Sequence, residues 1–290
     1  MTSDYLLTLP DGRTVSYSDS GPRTGRCVVL CHGLPGARVQ VPSTAVLDTH
    51  GIRLIIIERP GLGRSSPQPI RTIAGWSTDI NAVLAAAGVD TITLVGYSAG
   101  TPYALSYASL YPERVRSIHI VSGMAPSAAA DIKKLTPMNR LFHSLGNSLP
   151  PFMRRTVART AGVFIGSGER AAVFGIKIMR STFTAAENSF IDTAEGTVFR
   201  TMLAENFRQG YDGYLVDMGL VTTHWPIAYE QINHPIHALY GSDDRITPPS
   251  VVQDLQAVLP QTTVSIIPDA GHLMIFTAWD LVIARIANEA

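Results

Sequence analysis

Short runs of apolar, often β-branched residues recur along the chain, each followed by a stretch with helical spacing, and few folds accommodate that rhythm. The runs fall at 27–32, 53–58, 91–97, 115–121, 236–240 and 263–267. Their near-continuous apolar character is what a parallel strand needs when both of its faces are covered. Helical patterns fill 72–87, 99–110, 249–258 and 273–288. The alternation predicts an α/β fold, with a mostly parallel sheet flanked by helices. Ahead of it, residues 4–9 and 14–18 flank Asp11-Gly12, a pair suited to a hairpin turn.

Between Ser122 and His234 the rhythm breaks, and no convincing strand appears. Loops that long are rarely structureless. The segment is therefore expected to be an inserted, all-helical cap at 127–232, lying over one edge of a core formed by 1–126 and 233–290. Its charge is uneven. Residues 133–180 hold nine Lys or Arg against Glu169, whereas 187–230 hold seven Asp or Glu against Arg200 and Arg208. Either the two halves pack with complementary outer rims, or one half faces a charged substrate group.

The 290 residues suffice to bury about 75% of the unfolded surface, so no metal or disulfide staple is required. With 46% hydrophobic and 16% charged residues, disorder and coiled coil are excluded. Lys and Arg number 23, as do Asp and Glu, so no electrostatic footprint for nucleic acid or an anionic membrane is expected. Cys27 and Cys31 lie four strand steps of ~3.3 Å apart, about 13 Å, beyond the ~7 Å limit for a disulfide. Free, buried thiols suit a reducing compartment. Neither a signal peptide nor an apolar run of ~18 residues is visible, so a soluble, cytoplasmic protein is expected. A homodimer is left open.

The strongest chemical signal is Gly96-Tyr97-Ser98-Ala99-Gly100, placed between an apolar strand and a helical run. That is the strand–turn–helix setting of a nucleophile elbow, whose tight turn requires small residues on both sides of the serine. A serine hydroxyl needs a base oriented by a third group. His272, in Asp269-Ala270-Gly271-His272, is the histidine placed between a late strand and the last helix. His32 also lies next to a strand end, but its context fits another role, and His50, His119, His143, His224, His234 and His237 read as structural. The acid is expected in Gly241-Ser242-Asp243-Asp244-Arg245-Ile246-Thr247-Pro248, after the strand at 236–240, where Asp243 and Asp244 are both candidates.

At this point the sequence resembles the α/β-hydrolase superfamily. Four motifs agree in order: His32-Gly33-Leu34-Pro35-Gly36, Arg59-Pro60-Gly61-Leu62-Gly63-Arg64-Ser65, the elbow, and the acid–histidine pair. The resemblance spans nearly the whole chain outside the insertion. It implies an α/β-hydrolase fold and the order Ser98, Asp244, His272, because the family pattern places the acid four residues before a proline. It implies an oxyanion hole from the backbone N–H groups of Leu34 and Ala99, since Pro35 has none to give. Glu58 stands where the family more often has aspartate. Asp79 reads as a first-turn carboxylate favoured by the helix dipole, without a catalytic role.

The resemblance also narrows the chemistry. Serine at the elbow argues against epoxide hydrolases and haloalkane dehalogenases, which carry aspartate there. Ala99 stands where proline-iminopeptidase-like enzymes carry Trp. The expectation is hydrolysis of a carboxylic ester or lactone through an acyl-enzyme, with a small-molecule substrate, no cofactor and no metal. C–C hydrolase, lyase, perhydrolase, cyclase and aminopeptidase chemistry, or a ligand-binding pseudoenzyme, are the alternatives. Met138, Leu141, Phe142, Phe152, Met153, Phe164, Phe174, Met179, Phe183, Phe190 and Phe199 either wall an apolar pocket or form the insertion's own core.

Overall fold

The structure is a computed structural model that describes residues 2–126 and 166–288, with positions 150, 153, 156 and 160 between them. It opens on a hairpin, β1 (Thr2–Thr8) and β2 (Thr14–Ser20), turning at Gly12 with its φ of +83°. Then follow β3 (Arg26–Cys31), α1 (Thr44–Thr49), β4 (Ile52–Ile57), α2 (Trp76–Ala87), β5 (Ile92–Tyr97), α3 (Thr101–Leu110) and β6 (Val115–Val121). Among the described residues, α4 (Glu169–Met179), α5 (Ala185–Asp192), α6 (Thr197–Asn206) and α7 (Asp212–Val221) separate β6 from the next strand. The chain continues through β7 (Ile236–Gly241), α8 (Val252–Val258), β8 (Thr262–Ile267), α9 (Met274–Thr277) and α10 (Trp279–Asn288).

The strands lie in the order β1-β2-β4-β3-β5-β6-β7-β8. The pairs β1–β2 and β2–β4 are antiparallel, and every other neighbour is parallel. Successive side chains on a strand enter opposite layers. Val29, Cys31, Ile55, Ile57 and Leu94 pack with α2 and α3, whereas Val28, Leu30, Leu54, Ile56 and Val95 pack with α4–α6 and α10. Each such aliphatic side chain contributes roughly 1.5–3 kcal/mol on burial. Two covered faces thus account for the continuous apolar runs. Cys27 and Cys31 are free, and burial pushes both thiols up to about 12.

Some boundaries differ from the sequence pattern for local reasons. Thr72 Oγ1 accepts the Gly75 N–H at 2.9 Å, a side-chain turn that keeps 72–75 out of α2. The run at 273–288 divides at Ala278, whose φ of −126° is not helical. Asp79 does more than favour a helix start: it is buried and takes both Arg13 guanidinium nitrogens, at 2.8 and 3.0 Å, tying α2 to the hairpin turn. Among the described residues no helix is long and apolar enough to cross a membrane.

The described part of the segment between β6 and β7 meets the rest of the fold at the carboxyl ends of β3, β4 and β8. Gly36 N–H donates to Asn206 Oδ1 at 3.0 Å, Gln209 Nε2 to the carbonyls of Gly63 and Ser65 at 2.9 Å, and Leu273 N–H to Glu187 Oε1 at 2.5 Å. These partners lie in the loops after β3, β4 and β8. Val221, Trp225 and Ile232 already belong to the sheet's own core.

Two buried imidazoles give the fold a pH signature. Burial, with His237 and Arg26 nearby, lowers His119 from 6.5 to about 3, and burial with Arg59 nearby holds His32 well below its ordinary value. The unfolded chain therefore takes up protons first as the solution is acidified. The stability that neutral His119 contributes is complete above pH 6.5 and drains as pH falls toward 3, and the buried His32 acts in the same direction. For His119 we expect a loss of about 1.4 kcal/mol per pH unit within that window. Thermal melts between pH 7 and 5 test this: a flat melting temperature would contradict it, and His119→Phe should reduce the slope.

Candidate active site

Ser98 sits where β5 ends, in a turn so sharp that its φ is +52°, a left-handed value for a residue with a β-carbon. The two glycines of the motif are required by space. A Cβ on Gly96 would stand 2.9 Å from Thr101 Cα, and one on Gly100 would overlap the carbonyl oxygen of Cys31. Such strain concentrates at functional sites, and here it lifts one hydroxyl off the strand end.

Ser98 Oγ lies 3.0 Å from His272 Nε2. The opposite ring nitrogen, Nδ1, lies 2.9 Å from Asp244 Oδ2 and 3.1 Å from Oδ1. All three residues are buried, at 7%, 6% and 3% exposure. Burial alone would push the Asp244 carboxyl up, but His272 and the N–H groups of Thr247 and Ile246 outweigh it and hold the group below its ordinary value. It is therefore charged, and an imidazole held by its Nδ1–H keeps Nε2 free to accept from the serine. Asp243, the adjacent candidate, is exposed, and its N–H donates to Ala270 O at 2.9 Å, bracing the turn beside His272.

The Leu34 loop lies against the elbow. A Cβ on Gly33 would be 3.1 Å from the Tyr97 ring and 3.4 Å from Ser98 Cβ. Neither the Leu34 nor the Ala99 N–H is committed to a turn or loop carbonyl among the described residues. Arg59, fully buried, fastens this loop from behind by donating to His32 O at 2.5 Å and Gly33 O at 2.7 Å. Its guanidinium lies 4.7 Å above the Tyr103 ring and pairs with Asp217 at 2.6 Å. Asp217 also takes Arg71 at 2.8 Å and the Tyr103 hydroxyl at 2.5 Å. Burial raises the Asp217 carboxyl, but Arg59 and Arg71 overcome it and bring the group to about 2.

The structure supplies a physical account of Glu58. Its longer arm reaches both Arg38 Nη1, at 2.9 Å, and the Arg64 N–H, at 2.8 Å. Gly63, at a φ of +53°, leaves room for the carboxylate, which a Cβ there would overlap. Arg38 is shared with Glu205 of α6 and Asp4 of β1. Most of the basic half, with Lys133, Lys134, Arg140, Arg154, Arg155 and Arg159, lies outside the described residues, whereas the buried acids of the acidic half have partners in the core. Glu205 and Asp217 neutralise buried arginines of the core, and Glu187 caps backbone N–H groups. The exposed Arg180–Asp192 pair, at 2.5 Å, resembles a surface rim.

Several site residues escaped the sequence reading. Thr247 Oγ1 lies 2.9 Å from Asp244 Oδ2 and 2.8 Å from Ser122 O, and Tyr97 Oη donates to His272 O at 3.1 Å. The available signal for Asp217 was a lone carboxylate inside the apolar run Tyr214-Leu215-Val216-Asp217-Met218. Of the apolar wall candidates, Phe183 and Phe199 are buried and packed edge-to-face, and Phe199 meets Phe276 in the same manner. Met179 and Phe190 pack against that cluster, whereas Met153 and Phe174 are exposed. Met138, Leu141, Phe142, Phe152 and Phe164 lie outside the described residues. No group of three or more His, Cys, Asp or Glu among the described residues could hold a metal ion.

The chain is similar to known proteins to different depths. Probable proline iminopeptidases of Streptomyces coelicolor and Leptolyngbya boryana are 26% and 24% identical to the chain. The first match covers 53% of this chain and 48% of that protein, so the chain spans about half of that relative's length, and the second covers 93% and 88%. A 2-hydroxy-6-oxononadienedioate/2-hydroxy-6-oxononatrienedioate hydrolase of Burkholderia vietnamiensis is 24% identical over 93% of this chain and 89% of its own. A thermophilic esterase from Thermogutta terrifontis superposes with a TM-score of 0.70 at 20% identity, covering 99% of this chain and 97% of that one. The model of the alpha/beta hydrolase fold family matches residues 26–278, and with the sheet order and elbow described above, the chain belongs to that family.

Proposed function

We propose that the protein is a serine hydrolase that cleaves a carboxylic ester or lactone through an acyl-enzyme, with Ser98 as nucleophile, His272 as base and Asp244 as orienting acid. The observation that carries this reading is the unbroken line from Ser98 Oγ through the imidazole to Asp244, with steps of 3.0 and 2.9 Å. Ser98 attacks the carbonyl carbon while its proton passes to His272 Nε2. The N–H groups of Leu34 and Ala99 receive the developing oxyanion, each such donor typically being worth ~3 kcal/mol in the transition state. His272 then protonates the departing alkoxide, and a water molecule, deprotonated by the same nitrogen, releases the acid and restores Ser98. Residues 127–232 serve as the cap over this site.

A second reading has specific support in the relatives named for peptidase and C–C hydrolase activity. A peptidase that grips a free substrate amine needs an acidic group to receive it. Glu187, Glu205 and Asp217, the buried acids in the described part of the inserted segment, are each already satisfied by backbone N–H groups or arginines. Ala99, after the nucleophile, is also small, which favours the ester reading.

Release of p-nitrophenol from an acyl chain-length series, run beside proline p-nitroanilide and a 2-hydroxy-6-oxo-dienoate, separates the readings. We expect ester turnover that peaks at one chain length, together with fluorophosphonate labelling of Ser98. Turnover confined to the anilide or the dienoate would overturn the ester assignment, and absence of labelling would overturn the nucleophile.

A further inference from the structure

The base of the proposed site is held in part from outside the core. Glu187 is the third residue of α5, and its side chain closes a capping box: Oε2 accepts the Thr184 N–H at 2.8 Å, and Thr184 Oγ1 accepts the Glu187 N–H at 3.2 Å. A cap of this kind needs only one carboxylate oxygen. The second, Oε1, accepts the N–H of Leu273, the residue immediately after His272, at 2.5 Å. Glu187 is 3% exposed and Leu273 1%, so no water competes for that N–H.

On the other flank of the histidine, Gly271 makes room for the same carboxylate. A Cβ at 271 would overlap the Glu187 Cδ and both of its oxygens. One side chain from the inserted segment therefore rests on the residue before His272 and bonds to the residue after it. The core contributes the opposing grip, the Tyr97 hydroxyl on His272 O. Leu273 O in turn accepts the Phe276 N–H at 2.8 Å, so the Leu273 N–H begins the turn that becomes α9. Without an acceptor it would be a buried orphan, and the loop would shift to satisfy it.

We propose that Glu187 is a positioning residue for His272, fixing the backbone on both sides of the imidazole so that Nε2 stays within reach of Ser98. The proposal rests on the reading of His272 as the base. It makes α5 part of the site's framework: a displacement of this helix displaces the base.

The test compares Glu187→Ala with Thr184→Ala and Glu187→Gln. Glu187→Ala removes the grip on Leu273, whereas Thr184→Ala weakens the same helix cap and leaves that grip in place. With kcat expressed per fluorophosphonate-titrated serine, Glu187→Ala should lose roughly 10²-fold in kcat at nearly unchanged KM, the scale of a 1 Å misplacement. Thr184→Ala should stay close to the parent. Glu187→Gln keeps one acceptor oxygen and should recover part of the loss.

A second readout needs no turnover. The downfield proton resonance of His272 Nδ1–H, assigned by its loss in His272→Ala, should broaden or vanish in Glu187→Ala and persist in Thr184→Ala. Equal kcat for parent and Glu187→Ala, equal losses in Glu187→Ala and Thr184→Ala, or an unchanged resonance would overturn the proposal. A parent protein that hydrolyses none of the substrates but loses the resonance in Glu187→Ala would sink the hydrolase reading and leave the positioning role standing.

Discussion

Ser98→Ala is expected to lower kcat on the preferred ester by roughly 10⁴-fold or more while leaving the fold intact. Among the described residues the hydroxyl has one hydrogen-bond partner, His272 Nε2, so its removal costs the structure about 1 kcal/mol at most. Alanine keeps the β-carbon and the same strained φ of +52°, so the turn itself does not relax. Activity and stability should therefore separate: p-nitrophenol release collapses while the melting temperature stays within a few degrees. His272→Ala should be about as severe, and the double variant hardly worse than either alone, because the two groups act as a unit. Turnover within about tenfold of the parent in Ser98→Ala would remove the serine from the mechanism. Additive losses in the double variant would separate the roles assigned to the two residues.

What the sequence carried about this molecule was what local pattern encodes. Strands with both faces covered must be apolar throughout, so the parallel strands could be read to within a residue or so, as with 115–121. The elbow was legible because Gly96 and Gly100 are steric necessities of a turn that brings Thr101 and the Cys31 carbonyl into contact with them. Asp244 and His272 were legible through their places after the last two strands. Of the adjacent Asp243 and Asp244, the first faces solvent and the second is buried against Thr247 and His272, a difference that no local pattern encodes.

Partnerships across long sequence distances had no such trace. Arg59 and Asp217 are 158 residues apart, and Glu187 and Leu273 are 86 apart, so no periodicity connects them. The uneven charge of the inserted segment was visible, but its meaning depended on where the partners lie. For Glu205 and Asp217 those partners are arginines buried in the core, beyond the reach of a reading that compared the segment only with itself or with a substrate. The six-residue α1 is too short to display a helical period, and the turn at Thr72 depends on one side-chain oxygen.

Asp217→Asn is the substitution expected to cost the fold most. The carboxylate takes Arg59, Arg71 and the Tyr103 hydroxyl in a space from which water is excluded, and both arginines are buried. Asparagine preserves the shape but not the charge, leaving two guanidinium groups facing one another without a counter-ion. Breaking one partner out of a buried ionic group costs about 3–5 kcal/mol, because the remaining charge stays desolvated. In a chain of this size that corresponds to a fall in melting temperature on the order of 10 °C. With its pKa at about 2, the native carboxylate remains charged down to strong acid. Its contribution is complete above the ordinary carboxylate value and is lost only as pH falls through about 2, so the deficit of the variant should be constant from pH 5 to 8. Because Arg59 also holds the carbonyls of His32 and Gly33, a surviving fraction of the variant should show lowered kcat through a loosened Leu34 N–H. Adding Arg71→Met removes one of the stranded charges and should restore part of the stability. A melting temperature within about 2 °C of the parent, or no recovery in the double variant, would show that the arginines find other partners, and that this cluster does not hold the inserted segment to the loop beside Ser98.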